Sequence, residues 1–128
     1  MRLLFDTHLL LWTAAFPDKV AQEILERMDD PANELFFSVV AIWETAIKFS
    51  RGRPDFDVEP GFLRRELLQH GFWELPIAGE HAAFVSRLPS IHKDPFDRIL
   101  IAQATVEGIT LLTSDAMVAR YPGPIQLI

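Results

Sequence analysis

Short apolar runs alternate with stretches of helical period along the whole chain, and that alternation narrows the available folds more than any other feature of the sequence. The runs "LLF", "ELFFS", "FWELPI", "ITLLTSD" and "IQLI" have the length and content of buried strands, with Pro76 closing the third. Between them, "DKVAQEILERM" repeats apolar residues at Val20, Ile24 and Met28, one face of a helix. "VVAIWETAIKF" reads as a helix apolar enough to be largely buried, and "FLRRELLQH" as a further helix. "HAAFVSRL" places His81, Phe84, Val85 and Leu88 on one helical face. "DPFDRILIAQATVEG" carries an aspartate, a first-turn proline and a closing glycine, the start and stop signals of a helix, and "AMVARY" reads as a short one. Strand alternating with helix predicts an α/β fold: three layers, α/β/α, around a central parallel sheet of four to five strands. With 128 residues, 49% of them apolar, a single domain over residues 1–128 is expected.

Charge and composition exclude several classes of function. A net charge of −6 gives no broad attraction for phosphate backbones, so nucleic-acid binding would have to rest on a local site. No cysteine is present, which removes disulfide scaffolds, thiolate-zinc sites and cysteine nucleophiles. The apolar stretches "LLLW" and "ILIAQA" are far shorter than a membrane span, and no basic-then-apolar leader precedes Asp6. A soluble cytoplasmic protein is the expectation.

In parallel sheets of this kind, chemistry gathers outside the carboxyl ends of the strands. Asp6 stands at the end of the first strand, Ser38 after the second and Asp115 after the fourth, while Glu44 lies in the helix that follows Ser38. Asp94 and Asp97 open the helix that feeds the fourth strand and reach the same edge if it packs in the usual way. Each acid also has an ordinary structural explanation. Asp6, Asp94 and Asp115 could cap helices, Asp97 could accept a first-turn amide, and Glu44 could pair with Lys48 at i, i+4. Five such acids falling at one edge are better explained by a shared site, with Asp6, Glu44, Asp97 and Asp115 as its core.

Clustered carboxylates repel. At about 5 Å and an effective dielectric of about 20, each pair costs roughly 3 kcal/mol, so the group must share protons or bind cations. Oxygen donors without cysteine suit hard ions, Mg2+ or Mn2+. Ions of that kind activate water and neutralise a phosphodiester, so the residues point to metal-dependent phosphodiester hydrolysis.

Through "LLFDTHLLLW", "SVVAIWETAIKFSRGR", "LPSIHKDPFDRILIAQA" and "LLTSD", in that order and spacing, the chain resembles PIN-domain proteins, and among them the VapC-type ribonuclease toxins of bacterial toxin–antitoxin pairs. The resemblance spans nearly the whole chain. It implies a PIN-like fold and a ribonuclease whose metal ligands are Asp6 and Asp97, with Glu44 completing the pocket and Asp115 in the fourth, most variable acidic position. Thr7 and Ser38 match hydroxyl positions read as holding the carboxylates in place, and Asp94 belongs to the "HKDPFDR" stretch of one PIN branch as an accessory residue. The implied partners are RNA, a small antitoxin whose C-terminal segment lies across the acidic groove, and a second copy of the chain in a homodimer.

Lys48, Arg51 and Arg53 follow Glu44, and Arg98 follows Asp97. They are candidates to hold substrate phosphates, with a solvated helix end as the equal alternative and, for Arg98, the orientation of a site carboxylate. His8 stands where many relatives carry a small polar residue, and His92 is either a loop residue or a proton shuttle beside "DPFDR". Trp12, Trp43 and Trp73 are expected mostly in the core, with one or two left exposed for a partner. Two alternatives without catalysis share the acidic pocket: a magnesium-binding receiver-like domain and a PIN fold retained for binding. The first would need a second acid after the first strand and an aspartate after the third, and "FDTH" and "FWELP" supply neither.

Overall fold

Residues 1–128 are described by a computed structural model. Its strands are the apolar runs: β1 (Arg2–Phe5), β2 (Glu34–Ser38), β3 (Trp73–Leu75), β4 (Thr110–Thr113) and β5 (Ile125–Leu127). All pairings are parallel and the sheet order is β3-β2-β1-β4-β5. Because parallel sheets are covered on both faces, their central strands need apolar side chains at every position rather than at alternate ones. Leu3 and Phe5 face one core with Leu35, Phe37 and Leu112, while Leu4 and Leu111 face the other. The first core is completed by α1 (Thr7–Ala15), α2 (Gln22–Asp29) and α4 (Pro60–Gln69) through Leu9, Leu10, Ile24, Leu63 and Leu67. The second is completed mainly by α6 (Pro95–Glu107), through Leu100, Ile101 and Ala104. The helix α3 (Val39–Ser50) contributes Ala41 to the first core and Val40 to the second. No helix is long and apolar enough to cross a membrane.

The order of the strands places the site. From β1 the chain moves outward through β2 to β3, then returns to the other side of β1 for β4 and β5. The direction of winding therefore reverses between β1 and β4, and the carboxyl ends of those two strands open a crevice where such folds bind ligands.

Several local expectations change. The segment after Asp6 forms α1, which the sequence does not mark by periodicity: Leu9, Leu10 and Leu11 are all buried, so the helix has no polar stripe over its middle. The helix expected over "DKVAQEILERM" splits into a 3₁₀ turn at Pro17–Lys19 and α2, with Val20 and Ala21 extended between them. "HAAFVSRL" divides into α5 (Gly79–Phe84) and a 3₁₀ turn at Val85–Arg87, and "AMVARY" shortens to a 3₁₀ turn at Val118–Arg120. Gly108 ends α6 at φ 67°, the left-handed conformation that a closing glycine adopts without strain. The helix α3 is less buried than its apolarity predicts. Trp43 is 56% exposed whereas the acid beside it, Glu44, is 3% exposed. A buried carboxylate beside an exposed indole inverts ordinary sorting and marks Glu44 as held there for a reason other than packing.

Candidate functional site

Asp6 leaves β1 in an extended conformation and caps α1, its Oδ1 accepting from the Leu9 amide at 3.0 Å. Its other oxygen, Oδ2, accepts from the Thr113 hydroxyl at 2.6 Å and the Ser114 amide at 3.2 Å, both at the end of β4. The aspartate thus joins the ends of the two strands at the crevice. Burial pushes its pKa above the ordinary carboxylate range, opposed by the hydrogen bonds from Thr113, Leu9 and Ser114.

Glu44 enters from α3. Its Oε1 accepts from the Thr7 hydroxyl at 2.7 Å, and its Oε2 pairs with the Lys48 ammonium one turn along the same helix. The ammonium lies 4.6 Å from the centre of the Phe56 ring and 5.4 Å from that of Phe96, so aromatic faces help hold it in the pocket.

From α6 come Asp94 and Asp97. Asp94 caps the helix by accepting from the Phe96 and Asp97 amides at 2.9 and 3.2 Å, through one oxygen. Asp97 meets His92 Nε2 at 3.0 Å. Burial raises the Asp97 pKa to about 6; repulsion from Asp94 and Glu44 adds to the rise, and His92 opposes it. Asp115 stands at the exposed rim beyond β4, its carboxylate accepting from the Met117 amide at 2.8 Å.

These residues line one cavity of about 80 Å³, made by Asp6, Thr7, His8, Glu44, Lys48, Asp94, Asp97, Ser114 and Asp115, without an apolar residue among them. Five carboxylates face one ammonium. Oxygen donors, two carboxylates destabilised by burial and room for several waters fit a hard divalent cation. The acids and histidines do not close on one point as a finished ligand cage, because each carboxylate leans on a donor of the chain itself.

The other candidates lie elsewhere. Ser38 caps α3 by accepting from the Val40 amide at 3.0 Å and hydrogen bonds no carboxylate, because the first-turn amide of the helix takes its oxygen. Lys48 is the one basic candidate that lines the cavity. Arg53 forms a bidentate pair with Asp55, and Arg51 ends α3 at the exposed surface. Arg98 turns away from the cavity, donating to the Pro89 and Val85 carbonyls and the Tyr121 hydroxyl, so its fork is committed within the scaffold. His8 lines the cavity with its Nε2 3.5 Å from Asp55, packed edge-on to Phe56.

Two supporting residues carry no signal of their own in the sequence. Thr113 holds Asp6 while accepting from the Asp115 amide at 3.0 Å, and its only hint is a hydroxyl at the end of an apolar strand. Tyr121, the single tyrosine, bonds His92 across 29 residues. Thr113→Val keeps the shape and deletes both hydrogen bonds. It is expected to cost about 2 kcal/mol, the cost of leaving a buried polar group without its partner, which urea denaturation at neutral pH would measure.

The model of the PIN domain family matches residues 3–124. No curated protein sequence matches the chain. Among solved structures, the fold is similar to that in VapBC2 from Rickettsia felis bound to a DNA fragment from their promoter, at 14% identity and a TM-score of 0.74, covering 99% of this chain and 98% of that one. It is also similar to DNA-bound VapBC from Salmonella typhimurium, at 18% identity and a TM-score of 0.63, covering 98% and 97%. At these identities the likeness is one of fold.

Proposed function

The chain belongs to the PIN domain family, and on that premise we propose that it is a divalent-metal-dependent ribonuclease, the toxin of a VapBC-type toxin–antitoxin pair. One observation carries the reading: acids from four separate segments, Asp6, Glu44, Asp94 with Asp97, and Asp115, line a single cavity at the point where the sheet reverses its winding. Asp6, Glu44 and Asp97 would hold Mg2+ or Mn2+, with Asp115 joining from the rim. Such an ion, when bound, supplies an activated water and neutralises charge on the phosphodiester.

The rest of the work falls to the chain. Thr113 and the Ser114 amide hold Asp6, and Thr7 orients Glu44, so the carboxylates meet a ligand already aimed. Lys48 offsets the charge of Glu44 and faces the cavity, where its ammonium can pass to a substrate phosphate oxygen. Arg51, at the exposed end of α3, and Arg53 beyond it, once released from Asp55, would meet phosphates farther along the RNA. RNA as substrate follows from the likeness to VapC-type toxins, as do an antitoxin partner and a homodimer. The exposed Trp43 and Trp73 supply apolar surface for either partner.

The test is cleavage of total cellular RNA, beside a single-stranded DNA pool, by the chain freed of co-purifying protein. It is expected to cut RNA with Mg2+ or Mn2+ and to leave it intact in EDTA. DNA cleaved in preference would overturn the substrate, and a folded, Mn2+-binding chain that cuts neither pool would favour the PIN fold kept for binding.

A further inference from the structure

We propose that Tyr121 and His92 form a positioning arm that fixes Asp97, with Arg98 as its anchor. The assignment rests on Asp97 being a ligand of the proposed metal site, and it gives work to residues that this reading leaves idle.

The arm follows from counting donors and acceptors around one phenol. Arg98 Nη1, which can only donate, lies 3.0 Å from the Tyr121 oxygen, and the His92 amide donates to the same oxygen at 3.2 Å. These two donors fill its lone pairs. The phenol proton must therefore leave toward an acceptor, and His92 Nδ1 at 2.7 Å is nearer than the His92 carbonyl at 3.2 Å. With Nδ1 accepting, the neutral ring carries its hydrogen on Nε2, which faces Asp97 Oδ2 at 3.0 Å. The donors run one way: Arg98 to Tyr121, Tyr121 to His92, His92 to Asp97.

The anchor is rigid. Arg98 is tied to the Pro89 carbonyl at 2.8 Å and the Val85 carbonyl at 3.3 Å, and its guanidinium lies 5.8 Å from the Tyr121 ring centre. Tyr121 is buried in the core beneath α6, its ring 5.3 Å from that of His92. With Oδ2 held in this way, Oδ1 is the Asp97 oxygen left to meet an ion in the cavity that the residue lines. Histidine ligands gain orientation from a carboxylate behind them; here the order is reversed, with a histidine behind the carboxylate.

The experiment compares wild type, Tyr121→Phe and His92→Gln by Mn2+ titration in electron paramagnetic resonance and by the 15N signals of the imidazole rings. Wild type should show His92 protonated on Nε2. Tyr121→Phe keeps the ring in the core and removes the hydroxyl, so it should free the His92 tautomer and weaken Mn2+ binding about 10-fold. His92→Gln, which retains a donor toward Asp97, should lose less affinity than Tyr121→Phe loses. A Tyr121→Phe variant with wild-type Mn2+ affinity overturns the positioning role, whatever happens to its melting temperature; so does a wild-type His92 protonated on Nδ1. Failure of wild type to bind Mn2+ at all is a separate result: it removes the metal site, and the arm's purpose with it.

Discussion

Asp97→Asn is expected to slow metal-dependent cleavage by about 10³, equivalent to about 4 kcal/mol of barrier, and at the same time to stabilise the metal-free chain above pH 6. Both effects come from one charge. Asparagine matches aspartate in size and can still accept from His92 Nε2, so the pocket keeps its shape while losing a ligand. The stabilisation follows from the raised pKa. Below pH 3.8 the carboxyl is protonated in the folded and unfolded chain alike, and its ionisation costs nothing. Between pH 3.8 and about 6 the unfolded chain ionises first, so stability falls as pH rises, and above about 6 the penalty is complete. The shift corresponds to about 3 kcal/mol at most, and the 21% residual exposure of the side chain reduces it to about 2 kcal/mol. Denaturation in EDTA from pH 4 to 8 should show the wild type weakening across that window. The variant should weaken less, retaining the contribution of Asp6, whose pKa is raised in the same direction. Equal stability of the two proteins at pH 7.5, or undiminished cleavage by the variant, would contradict the account.

That trade between charge and stability also explains what the sequence could reveal. The acids were legible because each sits at a position fixed by local pattern: Asp6 after a strand, Glu44 in an apolar helix, Asp94 and Asp97 at a proline-marked helix start. The strands were legible because burial on both faces makes them continuous apolar runs, as in Leu3, Leu4 and Phe5. The same continuity concealed α1, where Leu9, Leu10 and Leu11 are buried together and no period remains to read. The supports of the site were hidden for a different reason. Thr113 meets Asp6 across 107 residues and Tyr121 meets His92 across 29, separations set by sheet order and loop packing rather than by any helix or strand repeat. Ser38 and Arg98 show the converse, since a residue near the site in sequence was claimed by a closer partner: a helix amide for Ser38, two carbonyls and a phenol for Arg98.

Phe5→Ala should remove about 3–5 kcal/mol of stability, the usual cost of deleting a fully buried aromatic side chain. Phe5 is completely buried at the end of β1, opposite Leu112 of β4, and packs edge-on against Phe72 with ring centres 5.2 Å apart. Trp43→Ala offers the contrast, because more than half of that residue is already exposed and its loss should cost about 1 kcal/mol or less in the isolated chain. Against a total of about 5–15 kcal/mol for a typical domain, Phe5→Ala leaves a marginal protein. The void left by the missing ring also lies one residue from Asp6, whose bond to Thr113 depends on the β1–β4 register. Stability and site are therefore coupled, and the coupling can be measured in urea with and without Mn2+. An ion that binds only the folded chain adds about 2.7 kcal/mol at 100 times its dissociation constant, enough to recover much of the loss if the crevice between β1 and β4 keeps its form. Recovery in Phe5→Ala but not in the double variant with Asp97→Asn would tie that energy to the carboxylate pocket. Equal recovery in both would place the ion elsewhere on the chain and count against the pocket as a metal site.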